Sequence, residues 1–269
     1  MSAPATTVRR SRGPRDLRLV IRQTRFEQLN FWLNPVGATF TVVFSVIFLV
    51  IAGISSGSQR VSYLGNVKLI DYYEPAFVAY GIMAACFTML AISLVNRREA
   101  GLLKRLRLSP LPAWALLASI VLSTLVVAAI QVVLVLAVGR LAFQVPLPAH
   151  PLSLVVTLAI GVLCFTALGM AMSTVVPNAD SAGPLIATVF FVLLFLSGLW
   201  FPLKAGSVLA RISDWFPVRH LIVAVFTTFS PQGGSAWPWH NIGVVAIWGV
   251  CGFAVALLRF RWAPMRSGH

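Results

Sequence analysis

Acidic side chains are nearly missing: seven Asp and Glu stand among 269 residues, and charged residues of both signs reach only 10%. Soluble domains carry about 25% charged and about 45–50% apolar residues. With 58% apolar residues and a mean hydropathy of +0.87, the composition excludes an ordinary water-soluble enzyme. It reads as an all-α integral membrane protein. Cysteine is equally sparse. Cys86, Cys164 and Cys251 are odd in number, each falls in an apolar run, and their spacing fits neither a disulfide framework nor a metal centre. They read as thiols packed like small hydrophobes. The four histidines, His150, His220, His240 and His269, lie in loops or the tail without ligand spacing, and read as loop imidazoles with no role.

A phosphate loop of the form G-x-x-x-x-G-K-[ST] is also absent, so the chain has no usual cradle for a nucleotide. Leu196-Ser197-Gly198 matches only a fragment of an ATPase signature and counts as chance. What is abundant is long apolar sequence. A helix needs about 20 apolar residues to cross the hydrocarbon. Six stretches qualify, at 36–54, 77–95, 113–138, 152–176, 184–201 and 242–258, and none contains Asp, Glu, Lys, Arg or His. Ion-coupled carriers and voltage sensors need charge at depth, so these runs argue against both. They also argue against a membrane hydrolase or transferase, which needs a nucleophile with its base or paired carboxylates. Gln131 is the most polar side chain deep in a run.

The net charge of +14 is distributed as a topology signal rather than a nucleic-acid surface. Counted in alternate loops, Lys and Arg divide into 15 on the side holding both termini and 6 on the other, which places both termini in the cytoplasm of a multi-pass cell-membrane protein. Residues 1–35 form a basic tail without signal-peptide organisation, 36–258 a transmembrane domain, and 259–269 a second basic tail. The apolar stretch 221–229 is too short to span and reads as a re-entrant or interfacial piece.

Within 15–35, Leu17, Val20, Ile21, Phe26, Leu29 and Leu33 recur at helical spacing with Arg18, Arg22 and Arg25 between them and Phe31 and Trp32 near the membrane. This predicts an amphipathic interfacial helix ending at Asn34-Pro35. In the last outer loop Val208, Leu209, Ile212, Trp215 and Phe216 share a face, while Pro202, Pro217 and Pro231 break the chain. Trp200, Trp215, Trp237 and Trp239 fit an aromatic belt.

The segment 96–112, NRREAGLLKRLRLSPLP, is the densest basic stretch between runs. Leu102, Leu103 and Leu106 share a helical face, Arg97, Arg98, Glu99, Lys104, Arg105 and Arg107 surround them, and Ser109-Pro110 ends the helix. A solvated positive-inside loop explains the charge but not the leucines, which suit lipid or a partner protein. The string from Glu99 through Lys104, Arg105 and Leu106 to Ser109-Pro110 closely resembles the pattern E-x(4)-[KR]-x-[LM]-x-x-[ST]-P of ABC-2-type transporter permeases. Ser197-Gly198-Leu199-Trp200-Phe201-Pro202 after the fifth run, and the broken loop before the sixth, resemble that family too.

The resemblance implies a fold of six transmembrane helices with an N-terminal interfacial helix, a cytoplasmic coupling helix and a re-entrant outer segment before the last span. It implies a coupling helix docked on a separate ABC ATPase subunit, which would hold ATP and Mg2+ while this chain binds no cofactor. It further implies a pairing with a second copy or a paralogue, for which Gly161, Gly169, Ser173, Gly249 and Gly252 permit close helix approach. Short outer loops make the chain similar to daunorubicin-type drug or lipid exporters. Export of a polysaccharide or teichoic-acid precursor is the alternative within the family, and a lipid-handling membrane enzyme or scaffold the alternative outside it.

Overall fold

The computed structural model describes residues 14–56, 58–62, 66–101, 113–200, 202–203, 206–229 and 237–259. Helix α1 (Pro14–Trp32) leads into the first long apolar helix, α2 (Pro35–Ser55). The junction is built from Asn34-Pro35. The Asn34 side chain accepts a hydrogen bond from the Gly37 amide at 3.2 Å, and Pro35 occupies the first turn, where its missing N–H costs nothing. A hairpin of β1 (Arg60–Val61) and β2 (Val67–Lys68), antiparallel with Arg60 opposite Lys68, then turns the chain into α3 (Leu69–Glu99).

The remaining long helices are α4 (Ala113–Phe143), α5 (Pro151–Val175), α6 (Ala179–Leu196) and α9 (Trp239–Arg259). Two short helices, α7 (Val208–Ser213) and α8 (Pro217–Phe229), fold between α6 and α9. Among the described residues six helices are thus long and apolar enough to cross a membrane. Helix α8, with 13 residues, is not. It buries Leu221, Ile222, Val225 and Phe229 against α3, α5 and α9 instead; only the shortness of the 221–229 stretch was legible beforehand.

Helix α3 is the centre of the bundle. Of its most apolar 18 residues 83% are buried within the protein, against 22% for α6 and for α9. It packs on α2, α4, α5, α6 and α8. Outward from this core the periphery is apolar: Ile51, Val133, Val155, Phe195, Ile247 and Leu257 are all exposed. Such a surface suits lipid, since helices in a bilayer gain nothing by hiding leucine from hydrocarbon.

Helix α3 also starts earlier than the apolar run at 77 and brings Asp71 and Glu74 into its first turns. Glu74 is 2% exposed, and its Oε2 has no hydrogen-bond partner among the described residues. Hydropathy alone ended the run at these charges. The backbone continues because the hairpin holds Leu69, whose N–H donates to the Gln59 carbonyl at 2.8 Å.

The small residues noted in the sequence are used inside the subunit. A Cβ on Gly169 would lie 2.6 Å from the Cys86 carbonyl oxygen and 3.1 Å from the Phe87 Cα, within a π-helical turn of α3 that spans Ala84–Met89. A Cβ on Gly249 would lie 3.1 Å from the Cys164 Cα, and one on Gly252 3.1 Å from the Leu168 amide nitrogen. Both glycines sit at the α5–α9 crossing, where the added atom would meet backbone of α5, joined at Gly252 by the Leu168 side chain at 2.9 Å. Replacing Gly169 by alanine is expected to push α5 from α3 and destabilise the isolated protein by about 1–3 kcal/mol. The measurement is denaturant unfolding in detergent, with Gly183→Ala, where open space surrounds the Cβ, as the silent control.

Candidate functional site

Where α3 ends, four polar residues follow one another: Asn96, Arg97, Arg98 and Glu99. Successive helical residues point about 100° apart, so three adjacent charged side chains reach three different neighbours. Arg97 turns to α1 and forms a two-pronged ion pair with Glu27, Nη1 to Oε1 at 2.7 Å and Nη2 to Oε2 at 2.5 Å. Arg98 is 4% exposed and turns to α5. Its guanidinium donates to the carbonyls of Ser173 at 2.8 Å, Val176 at 2.5 Å and Pro177 at 3.1 Å. Glu99 turns to α6, where its Oε2 accepts from the Ala179 amide.

Electrostatics favours each pairing. The last carbonyls of a helix lack intrahelical partners and carry negative partial charge, which a guanidinium satisfies. The first amides carry positive partial charge, which a carboxylate satisfies. Arg98 and Glu99 therefore clamp the two facing ends of α5 and α6 from one turn of α3. Gly101, at φ 67°, stops α3 immediately afterwards. A left-handed residue there allows the Gly101 amide to close on the Arg98 carbonyl at 3.1 Å.

Of the residues expected to couple to a partner, Arg98 and Glu99 are in place and engaged within the subunit. Leu102, Leu103, Lys104, Arg105, Leu106, Ser109 and Pro110 lie outside the described residues, as does Phe201. Arg18, Arg22 and Arg25 are exposed on α1, and the half-exposed Trp32 donates its indole N–H to Gln28 at 3.1 Å.

The orientation of α1 differs from a simple apolar-inward reading. Ile21, Phe26, Leu29 and Leu33 face away from the bundle, while Val20, Thr24 and Glu27 are buried against it. Gln28 extends the seam by donating to the Ser123 carbonyl at 2.7 Å and its Oγ at 3.0 Å on α4. With lipid as the apolar phase, polar side chains find their partners inside and leucines stay outside. Glu27 was the residue the pattern hid: with Asp16 it is one of two acids on an arginine-rich helix.

At the opposite end, Gly198 adopts φ 80° and its carbonyl accepts from the Tyr72 hydroxyl at 2.7 Å, while Tyr73 donates to the Trp200 carbonyl at 3.2 Å. Pro202 is half-buried, and the buried Pro217 opens α8. His220 is no idle loop residue. It is buried in α8, with one ring nitrogen 2.8 Å from Asn241 Oδ1 on α9 and the other 2.9 Å from the Asp214 carbonyl, so it pins the short outer helices to the last long one.

Comparison with known proteins adds three findings. The sequence model described as ABC-2 family transporter protein matches residues 59–258. The probable multidrug ABC transporter permease YbhR of Escherichia coli strain K12 is 26% identical over 159 residues, 59% of this chain and 43% of that protein. The putative transport permease YvfS of Bacillus subtilis strain 168 is 25% identical over 174 residues, 64% of this chain and 69% of that protein. The chain thus matches less than half the length of the Escherichia coli relative.

Two outcomes check the site. Arg98→Ala is expected to cost the isolated protein about 3 kcal/mol, because three carbonyls lose a charged donor in a buried place. Arg98→Lys is expected to recover little, since an ammonium lacks the planar fork. Thermal unfolding without any partner reads both, and an unchanged midpoint would assign Arg98 to partner contact alone. For Glu27 and Arg97, a double-mutant cycle with alanine is expected to give a coupling of about 1–3 kcal/mol, between the values for exposed and fully buried pairs.

Proposed function

The chain belongs to the ABC-2 family of transporter proteins, and on that premise we propose that it is the membrane permease of an exporter powered by a separate ABC ATPase. The observation that carries the reading is the clamp at the end of α3. The segment 102–112 begins three residues after Glu99, so a displacement of that segment acts on α5 and α6 through Arg98 and Glu99, and on α1 through Arg97. In this reading 102–112 is the coupling helix on the ATPase, and ATP with Mg2+ stays in the ATPase. Residues 36–258 form the transmembrane domain between basic tails at 1–35 and 259–269, with both termini in the cytoplasm.

A second copy of this chain, or a paralogue, completes the pathway. Gly169, Gly249 and Gly252 are consumed by packing within the subunit, so the mating surface is drawn from the exposed apolar faces. The cargo is an amphipathic drug or lipid-like molecule taken from the cytoplasm or inner leaflet. Aromatic side chains along α2, α3 and α6, among them Phe44, Phe48, Phe77 and Phe190, support an apolar rather than an ionic route. The name of the Escherichia coli relative points the same way.

Purified chain is expected to show no ATP hydrolysis. Co-reconstitution with an ATPase encoded beside it is expected to give ATP-dependent accumulation of a fluorescent amphiphile in inverted vesicles, lost in Glu99→Ala. Loss of a surface glycan in cells lacking the protein, with unchanged drug sensitivity and surface lipid, would replace this cargo by a sugar polymer.

A further inference from the structure

A cavity of about 360 Å³ opens between α1 and the ends of α2, α3 and α4 beside the Glu27–Arg97 pair. Its two halves differ in chemistry. The floor is apolar, with Ala85, Met89, Leu90 and Ile120, and the rim carries Asn30, Ser93 and Asn96. Asn96 and Asn30 are exposed and Ser93 is half-buried, and none of the three side chains has a hydrogen-bond partner among the described residues. The rim therefore holds two amides and one hydroxyl ready to bond a guest.

The charges beside it are spent. Both Arg97 terminal nitrogens point at Glu27, and both Glu27 oxygens accept from Arg97, with Gln23 adding a further donor to Oε1 at 3.2 Å. Among the described residues no other charged side chain lines the cavity. An anionic or cationic head would enter without a counter-charge, at the cost of its hydration. A neutral head bearing hydroxyls or amides would exchange water for the three rim side chains at little loss. The volume equals about twelve waters at roughly 30 Å³ each, enough for one sugar-sized head, and the floor continues as an apolar surface for the first carbons of a chain.

We propose that this cavity binds the uncharged, hydrogen-bonding head of a single-chain amphiphile drawn from the adjoining leaflet, with α1 as its outer wall. The inference rests on the export reading given above and names where its cargo is first held. Helix α1 suits the task because its exposed apolar face, with Ile21, Phe26 and Leu29, lies in lipid while its polar face borders the cavity. A guest reaching the cavity from the leaflet passes this helix without crossing the bundle core.

The test uses the full chain in phosphatidylcholine nanodiscs, without ATP or partner, and a dodecyl glucoside carrying a diazirine on its chain. Photolysis is expected to label Met89, Leu90 or Ile92. Ser93→Phe, which fills the rim, is expected to lower that labelling at least tenfold. Asn30→Leu with Asn96→Leu, two exposed positions that fold without risk, is expected to lower it several-fold. Matched probes with phosphatidylglycerol and quaternary ammonium heads are expected to label weakly. Equal labelling by a charged head or by a phosphatidylcholine probe, absence of label at these positions, or indifference to both variants would each overturn the proposal. Because no ATPase is present, such a failure leaves the export reading standing, whereas intact labelling with no ATP-dependent transport in the reconstituted complex would remove the export reading alone.

Discussion

One turn of helix, Arg97-Arg98-Glu99 at the end of α3, ties together elements far apart in sequence. The constraint behind it is the bilayer. Inside hydrocarbon a helix satisfies its own backbone, but its ends do not, and each leaves carbonyls or amides without partners. At the α5–α6 junction a carbonyl end and an amide end are brought face to face, and Arg98 and Glu99 answer them with charges of the right sign. The same turn sends Arg97 to Glu27 on α1. Displacing that turn disturbs three neighbours together.

The central position of α3 follows from the same economy of polar groups. Its flank toward α4 carries Glu74 and Gly81 at seven-residue spacing, and α4 answers with Gly139 and Gln131. Gln131 fills the space left by Gly81 and donates to the Phe77 carbonyl at 3.1 Å and to Ser45 at 3.4 Å. Oxygens of Thr41, Glu74, Thr88 and Gln131 remain without a hydrogen-bond partner among the described residues. This seam is polar, and it runs on α3 from its first turns toward the clamped end.

Exposed apolar side chains cover the rest. In water they would mark aggregation or an interface; in a bilayer they are the ordinary boundary. The inverted burial of α1 belongs to this logic, with Thr24, Glu27 and Gln28 toward protein and Phe26, Leu29 and Leu33 toward lipid. Helix α1 is thus held to the bundle by a polar seam while its apolar face stays exposed.

The sequence by itself determined the class and count of elements, since runs of about 20 apolar residues have no stable home in water and only helices satisfy their backbones in lipid. It also carried the Asn34-Pro35 stop and the short segment before the last span, because caps, prolines and length are local properties. The outward extension of α3 over Asp71 and Glu74 was not legible, because hydropathy ends at a charge although a helix does not. Nor was the work of Arg98, Glu99, Glu27 and His220: each depends on a partner at a sequence distance of 6 to 80 residues, as His220 with the Asp214 carbonyl and Glu99 with the Ala179 amide. The five small residues read equally well as contacts between copies or within one. Only the tertiary structure decided that Gly169, Gly249 and Gly252 close crossings inside the subunit, because a glycine declares that something comes near and says nothing of what.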